Sequence, residues 1–184
     1  RLGPDHSDLA TAYNNLGLTY YQRGQLEEAL DHHQMAYDLL NLDDSEPLAV
    51  TIASMGNVYK RQNKFDKALS HYARSHAMLI RVLGLTHPDV GSSFNNVAQV
   101  YLLQSRYEEA LSRFQEGLRI FTDTLGERHP NVAACYYNIG LALRAQAKPE
   151  EAKDSFEKAR DIWAGTLGPN SQQAAAAEQL LNEV

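Results

Sequence analysis

Between Val90 and Phe121 the apolar positions fall into two runs. Val90, Phe94, Val97, Ala98 and Tyr101 recur at three- and four-residue steps, which places them on one face of a helix. After the polar turn Gln104-Ser105-Arg106, the residues Tyr107, Ala110, Leu111, Phe114, Leu118 and Phe121 repeat the same periodicity on a second helix. The whole pattern is then written again. Gly84 returns as Gly126 and Gly168 at a period of 42 residues, and the small residue in the middle of each first helix falls at Gly17, Gly56, Ala98 and Gly140, spaced by 39, 42 and 42. A fixed period in this range marks a stacked repeat array. The pattern predicts an all-α chain, a right-handed α-α superhelix (a solenoid) of four helix-turn-helix units at about 5–43, 46–84, 87–126 and 129–168, with a C-terminal capping helix at about 171–184.

The helix ends carry their own signals. Pro88 and Pro130 suit the first helical position, with His87 and His129 just outside as caps; Pro47 opens the second unit in a shifted register, and Pro149 opens the last second helix. Gly24 and Asn63 suit the left-handed residue that ends a helix, and Ser105 and Ala147 hold the same place in the later units. Ala29, Ala68, Ala110 and Ala152 sit twelve residues beyond the small residue of the first helix. Two sets of small residues in lockstep predict that the paired helices cross closely there.

Composition narrows the function classes. The chain of 184 residues carries a net charge of −6, short of the basic excess by which nucleic-acid binders neutralise phosphates and basic helices attach to membranes. No apolar run approaches the roughly 18 residues of a membrane span, and no leader of the secretory kind is evident. The single cysteine, Cys135, cannot form an internal bridge, so a cytoplasmic location is the default expectation.

Small residue, tyrosine three later, alanine nine beyond that and an aromatic four further on reads Gly17, Tyr20, Ala29; Gly56, Tyr59, Ala68, Tyr72; Ala98, Tyr101, Ala110, Phe114; Gly140, Ala152, Phe156. This resembles the tetratricopeptide repeat pattern. The 42-residue period, the "LG..HP.V" linkers and the "NN" pairs resemble the kinesin light chain subtype. His33 replaces the first aromatic, Leu143 replaces the fourth tyrosine, and the "NLDDSEP" linker lacks the Leu-Gly pair.

Stacked pairs of this kind leave a concave groove lined mainly by first helices, a surface that binds extended partners. With Tyr13, Leu16, Gly17 and Tyr20 in the core, helical geometry turns Asn14, Asn15 and Leu18 away from it. The candidate groove residues are Asn15, Leu18, Asn57, Lys60, Arg61, Asn96, Gln99, Leu102, Asn138, Leu141 and Arg144. In similar repeats the second asparagine of the pair hydrogen-bonds a peptide backbone, and the resemblance gives that role to Asn15, Asn96 and Asn138. The leucines offer apolar contacts, and Lys60, Arg61 and Arg144 favour an acidic peptide, as in kinesin light chain cargo motifs. The expected function is a non-enzymatic module that binds an extended protein or peptide segment; the alternative is a regulatory or self-assembly scaffold within a larger signalling protein. A monomer is the favoured state.

Other candidate chemistry is weaker. Glu27-Glu28, Glu108-Glu109 and Glu150-Glu151 each fall in the first turn of a second helix, where negative charge complements the helix dipole. His32 with His33, and His71 with His76, lack the four-residue spacing of a ligand pair on one helical face. His33 aligns with aromatic core positions, and Cys135 reads as a buried structural thiol. The expectation is therefore no catalytic residue, no metal and no cofactor. The opening Arg-Leu-Gly aligns with the tail of a second helix, which suggests a piece of a longer protein, and the alanine-rich end reads as a weakly held helix capped by Ser171.

Overall fold

The computed structural model describes residues 5–40 and 44–183. The opening Arg-Leu-Gly, the end of the first predicted unit at 41–43 and the last position of the predicted terminal helix lie outside the described residues. Among those residues every regular element is an α-helix: α1 (Asp5–Gln22), α2 (Leu26–Leu40), α3 (Glu46–Arg61), α4 (Phe65–Leu83), α5 (Pro88–Leu103), α6 (Tyr107–Leu125), α7 (Pro130–Ala145), α8 (Pro149–Leu167) and α9 (Gln172–Glu183). They form two compact units, one holding α1 to α4 and the other α5 to α9. In the first unit α1 pairs with α2 and α3 with α4, while α2 packs on α3 and α1 touches α3. The second unit repeats the scheme with α5 and α6, α7 and α8, α6 on α7 and α5 touching α7; α9 packs on α8.

Each pair turns on one left-handed residue, Gly24 (φ 81°), Asn63 (58°), Ser105 (59°) or Ala147 (58°). The N–H after it donates to a carbonyl five residues back, Gln25 to Tyr20, Lys64 to Tyr59, Arg106 to Tyr101 and Lys148 to Leu143, at 2.9 to 3.0 Å. The left-handed residue itself donates to the next carbonyl along, so two orphan carbonyls of the helix end are satisfied at every turn. For a side chain other than glycine that conformation costs about 1–2 kcal/mol, which the paired hydrogen bonds offset. At the other ends His87 and His129 cap α5 and α7 as their sequence position predicts, each Nδ1 accepting from the N–H two residues on. Ser45 caps α3, and Ser171 accepts from Ala174 N at 3.4 Å to cap α9.

The small residues do bring the paired helices together, by a mechanism the lockstep spacing does not reveal. The space left by Gly17, Gly56 and Gly140 is filled by the ring sixteen positions on. A Cβ at Gly17 would lie 2.7 Å from the His33 ring, at Gly56 2.7 Å from Tyr72, and at Gly140 2.6 Å from Phe156. Phe114 takes this place opposite Ala98, and both are fully buried with Ala110 in the core of the second unit. A second small contact lies further along three of the pairs. A Cβ at Gly117 would come 3.0 Å from the Gly91 carbonyl, Ser75 Oγ donates to the Ala49 carbonyl at 2.8 Å, and Ala133 packs in one cluster with Ala159.

One core expectation fails. Leu16 is 46% exposed rather than buried, and Leu9 on the same face is 45% exposed. Their equivalents on α3, Met55 and Leu48, are 7% and 2% exposed, because α3 packs on α2 as well as on α4.

Two predictions test this packing. Ala110 is fully buried, so Ala110→Leu overpacks the helix crossing and costs about 1–3 kcal/mol, read as a lower thermal midpoint. His33, buried in the aromatic position of the first pair, is held neutral: burial first, and the neighbouring His32 charge second, lower its pKa from 6.5 to about 4. Below pH 6.5 the unfolded chain therefore binds a proton that the folded chain does not, so stability present at neutral pH falls as the pH drops towards 4. Urea midpoints at pH 7 and pH 5 should register a loss of about 2 kcal/mol from this group, and His33→Phe should flatten that part of the dependence.

Candidate functional site

The two asparagines of each "NN" pair are put to different uses. Asn14, expected to face away from the core, is half-buried and ties three helices of the first unit together. Its Nδ2 donates to Thr51 Oγ1 on α3 at 2.6 Å, and its Oδ1 accepts from His33 Nδ1 on α2 at 3.0 Å, which places the imidazole proton on Nδ1. Asn95 does the same in the second unit. Its Nδ2 donates to Cys135 Sγ on α7 at 3.1 Å, the thiol lies 3.4 Å from Asn95 Oδ1 in return, and that oxygen rests against Gly117 on α6. Thr51 and Cys135 stand five residues before the small residue of their helices, so one bridge recurs in both units. Burial raises the Cys135 thiol to about 11, offset in part by the Asn95 hydrogen bond, which makes it an inert structural group.

The second asparagine of each pair, and Asn138, which follows Tyr137 at the same place on α7, have no such anchor. The side chains of Asn15, Asn96 and Asn138 make no hydrogen bond to any described residue; Asn15 is exposed, and Asn96 and Asn138 are half-buried. Each presents a donor pair and an acceptor to whatever approaches the first-helix face.

The remaining predicted residues divide by unit. On α1 and α3, Leu18 is 50% exposed. Asn57 Oδ1 already accepts from the Tyr72 hydroxyl at 2.7 Å. Lys60 is half-buried, and that burial pulls its ammonium below the usual lysine value. Arg61 stacks 5.0 Å over the Tyr21 ring and donates to the Tyr21 carbonyl. On α5 and α7, Gln99 is half-buried, and Leu102 and Leu141 are half-buried against the core that holds Phe114 and Phe156. Arg144 pairs with Glu183 of α9 at 3.1 Å. Arg61 and Arg144 are thus engaged within the chain.

The acidic pairs have a second role that their position near a helix start does not announce. Gln62 Nε2 donates to Glu27 at 3.2 Å, and Gln146 Nε2 to Glu108 at 2.6 Å. Each glutamine ends a first helix and each glutamate opens the second helix of the preceding pair, so the bridge links successive repeats. A glutamine six residues after the small position, at Gln62, Gln104 and Gln146, is the signal available in the sequence. Among the described residues no group of three or more His, Cys, Asp or Glu is placed to hold a metal, and no helix is long and apolar enough to cross a membrane.

Comparison with known proteins follows the same lines. The tetratricopeptide repeat model matches residues 1–41, 48–123 and 95–165. No curated protein matches the sequence. Among solved structures, BtubC (BKLC) from P. vanneervenii is 22% identical with a TM-score of 0.78, over 94% of this chain and 70% of that one. A Podosopora anserina putative kinesin light chain with nearly identical TPR-like repeats is 20% identical with a TM-score of 0.77, over 97% of this chain and 85% of that one. A Rap protein complexed with Competence and Sporulation Factor is 19% identical with a TM-score of 0.77, over 92% of this chain and 46% of that one. At these identities the structures share a fold with this chain. The helix pairs, their left-handed turns and the match along most of the sequence lead to one conclusion: this chain belongs to the tetratricopeptide repeat family.

Proposed function

We propose that the chain is a non-enzymatic interaction module that takes an extended stretch of a partner polypeptide along its first-helix faces, α1 with α3 in one unit and α5 with α7 in the other. Tetratricopeptide repeats generally serve protein–protein interaction, which gives the coarse function. The observation that carries the finer reading is the division of labour within the asparagine pairs. Asn14 and Asn95 are consumed in holding helices together, whereas Asn15, Asn96 and Asn138 keep their full hydrogen-bonding capacity. An amide that offers both donors and an acceptor can pair with a peptide backbone whatever its side chains. A Rap protein of this fold forms a complex with Competence and Sporulation Factor, which is compatible with such use.

Charge plays a smaller part than the sequence suggests. Arg61 is committed to Tyr21 and Arg144 to Glu183, so neither is left over for an acidic ligand. Lys60 is half-buried, and that burial penalises its ammonium.

A second reading, self-association, draws on Leu103, which is 57% exposed at the end of α5. Mass measured by light scattering over a range of concentrations separates the two: a constant mass favours the peptide-binding reading, and a rising mass that Leu103→Gln suppresses favours assembly.

The direct test is a peptide-library screen, followed by titration of the best binder against variants. Asn96→Ala and Asn138→Ala should each weaken binding about 2- to 10-fold, the worth of one neutral hydrogen bond, with the thermal midpoint unchanged. Asn95→Ala should lower the midpoint instead. Undiminished affinity in the Asn96→Ala, Asn138→Ala double variant removes the clamp.

A further inference from the structure

On the second unit, away from the asparagine-bearing faces, the end of α6, the turn that follows it, α7 and the outer face of α8 enclose two adjoining cavities of about 380 and 370 Å³. They share Arg128, Asp161 and Ile162. Their lining runs along α8 from Lys158 to Thr166, a rise of about 12 Å at 1.5 Å per residue. That length matches about three or four residues of extended chain. A trough of this shape suits a strand of polypeptide better than a compact small molecule.

The chemistry of the trough is uneven. Val132 is buried, Tyr136 and Ile162 are half-buried, and together they give an apolar floor at one end. Lys158 is neutralised by Asp154 at 2.6 Å and lies over the Tyr136 ring, and Asp161 is held by Arg160 at 2.8 Å. Arg128, common to both cavities, makes no ion pair or hydrogen bond with the described residues; Glu127 makes none either but lines the first cavity alone, so the guanidinium is free of a neighbouring unpaired carboxylate on the side of the second. An uncommitted guanidinium over an apolar floor matches a carboxylate, which it can hold with two parallel hydrogen bonds, beside an aliphatic side chain.

Gly165 adds an independent observation. It lies inside α8, where glycine is destabilising relative to alanine, and a Cβ built there meets nothing within 4 Å. No close approach demands it, unlike Gly17, Gly56 and Gly140, and its effect is to leave the second cavity open.

We propose that this trough is a second docking site, for a short extended segment of a partner polypeptide in which an Asp or Glu stands beside an aliphatic residue, the carboxylate on Arg128 and the aliphatic group against Val132 and Ile162. The site is separate from the Asn96 and Asn138 face, so the two readings stand or fall independently.

The test is an NMR titration of the ¹⁵N-labelled chain with acetyl-Leu-Glu-Leu-amide, its Gln counterpart and sodium acetate. The Glu peptide should shift the amides of Arg128, Ile162 and Gly165, and the Gln peptide should bind at least fivefold more weakly. Arg128→Gln should bring the Glu peptide down to the level of the Gln peptide. Gly165→Leu, whose side chain enters open space and leaves the fold intact, should abolish the shifts. The proposal is overturned by equal binding of the two peptides, by shifts that persist in Gly165→Leu, by shifts confined to Asn96 and Asn138, by acetate alone reproducing the effect at equal concentration, or by no response at millimolar peptide.

Discussion

Close approach between the two helices of each pair is the constraint on which the other features depend. It is met by absence of side chain at fixed places: a glycine that receives a ring from the partner helix, and a second contact such as Gly91 with Gly117 or Ala49 with Ser75. Once the backbones are that near, the large apolar groups of both helices fall into one seam, and Phe114, Phe156, Leu143 and Ile139 form a single cluster. The turn follows from the same requirement, since two helices so close must reverse within a few residues. A left-handed residue does this even where serine or alanine occupies it. Local backbone preference yields there because the packing it permits is worth more than the conformational cost.

The repeat can be read from the chain because its signals are periodic. Gly17, Gly56, Ala98 and Gly140 mark the units, and the register they set locates the left-handed turns at Ser105 and Ala147, residues that do not advertise such a conformation. Periodicity fails where a position depends on a neighbour rather than on its own helix. Leu16 occupies the same place as Met55 yet is half-exposed, because burial at that position is supplied by the second helix of a preceding pair. Helical geometry assigns Asn14 to the outside, but the angle it occupies faces α3, a contact that no single-helix pattern contains. The bridges from Gln62 to Glu27 and from Gln146 to Glu108 join residues 35 and 38 positions apart and are hidden for the same reason.

The candidate binding face is half legible. Its amides can be placed on the first helices by spacing, whereas the engagement of the cations cannot, since Arg61 and Arg144 find their partners across helix boundaries. What is left uncommitted on the first helices is mostly neutral: Asn15 and an exposed Leu18 in the first unit, Asn96, Asn138 and two half-buried leucines in the second. Under the proposed binding, a surface of that kind reads the backbone of a ligand more than its charge, and discrimination falls to the shape around Leu102 and Leu141.

The bridge between Asn95 and Cys135 makes one further property available. The sequence has a single thiol, and it is fully buried where α5 meets α7, with a depressed readiness to ionise. A thiol-reactive dye can modify it only during moments when those two helices part. The rate of labelling is therefore a stopwatch for the breathing of the second unit, installed by nature without any engineered probe, and it runs while the rest of the chain is left chemically untouched.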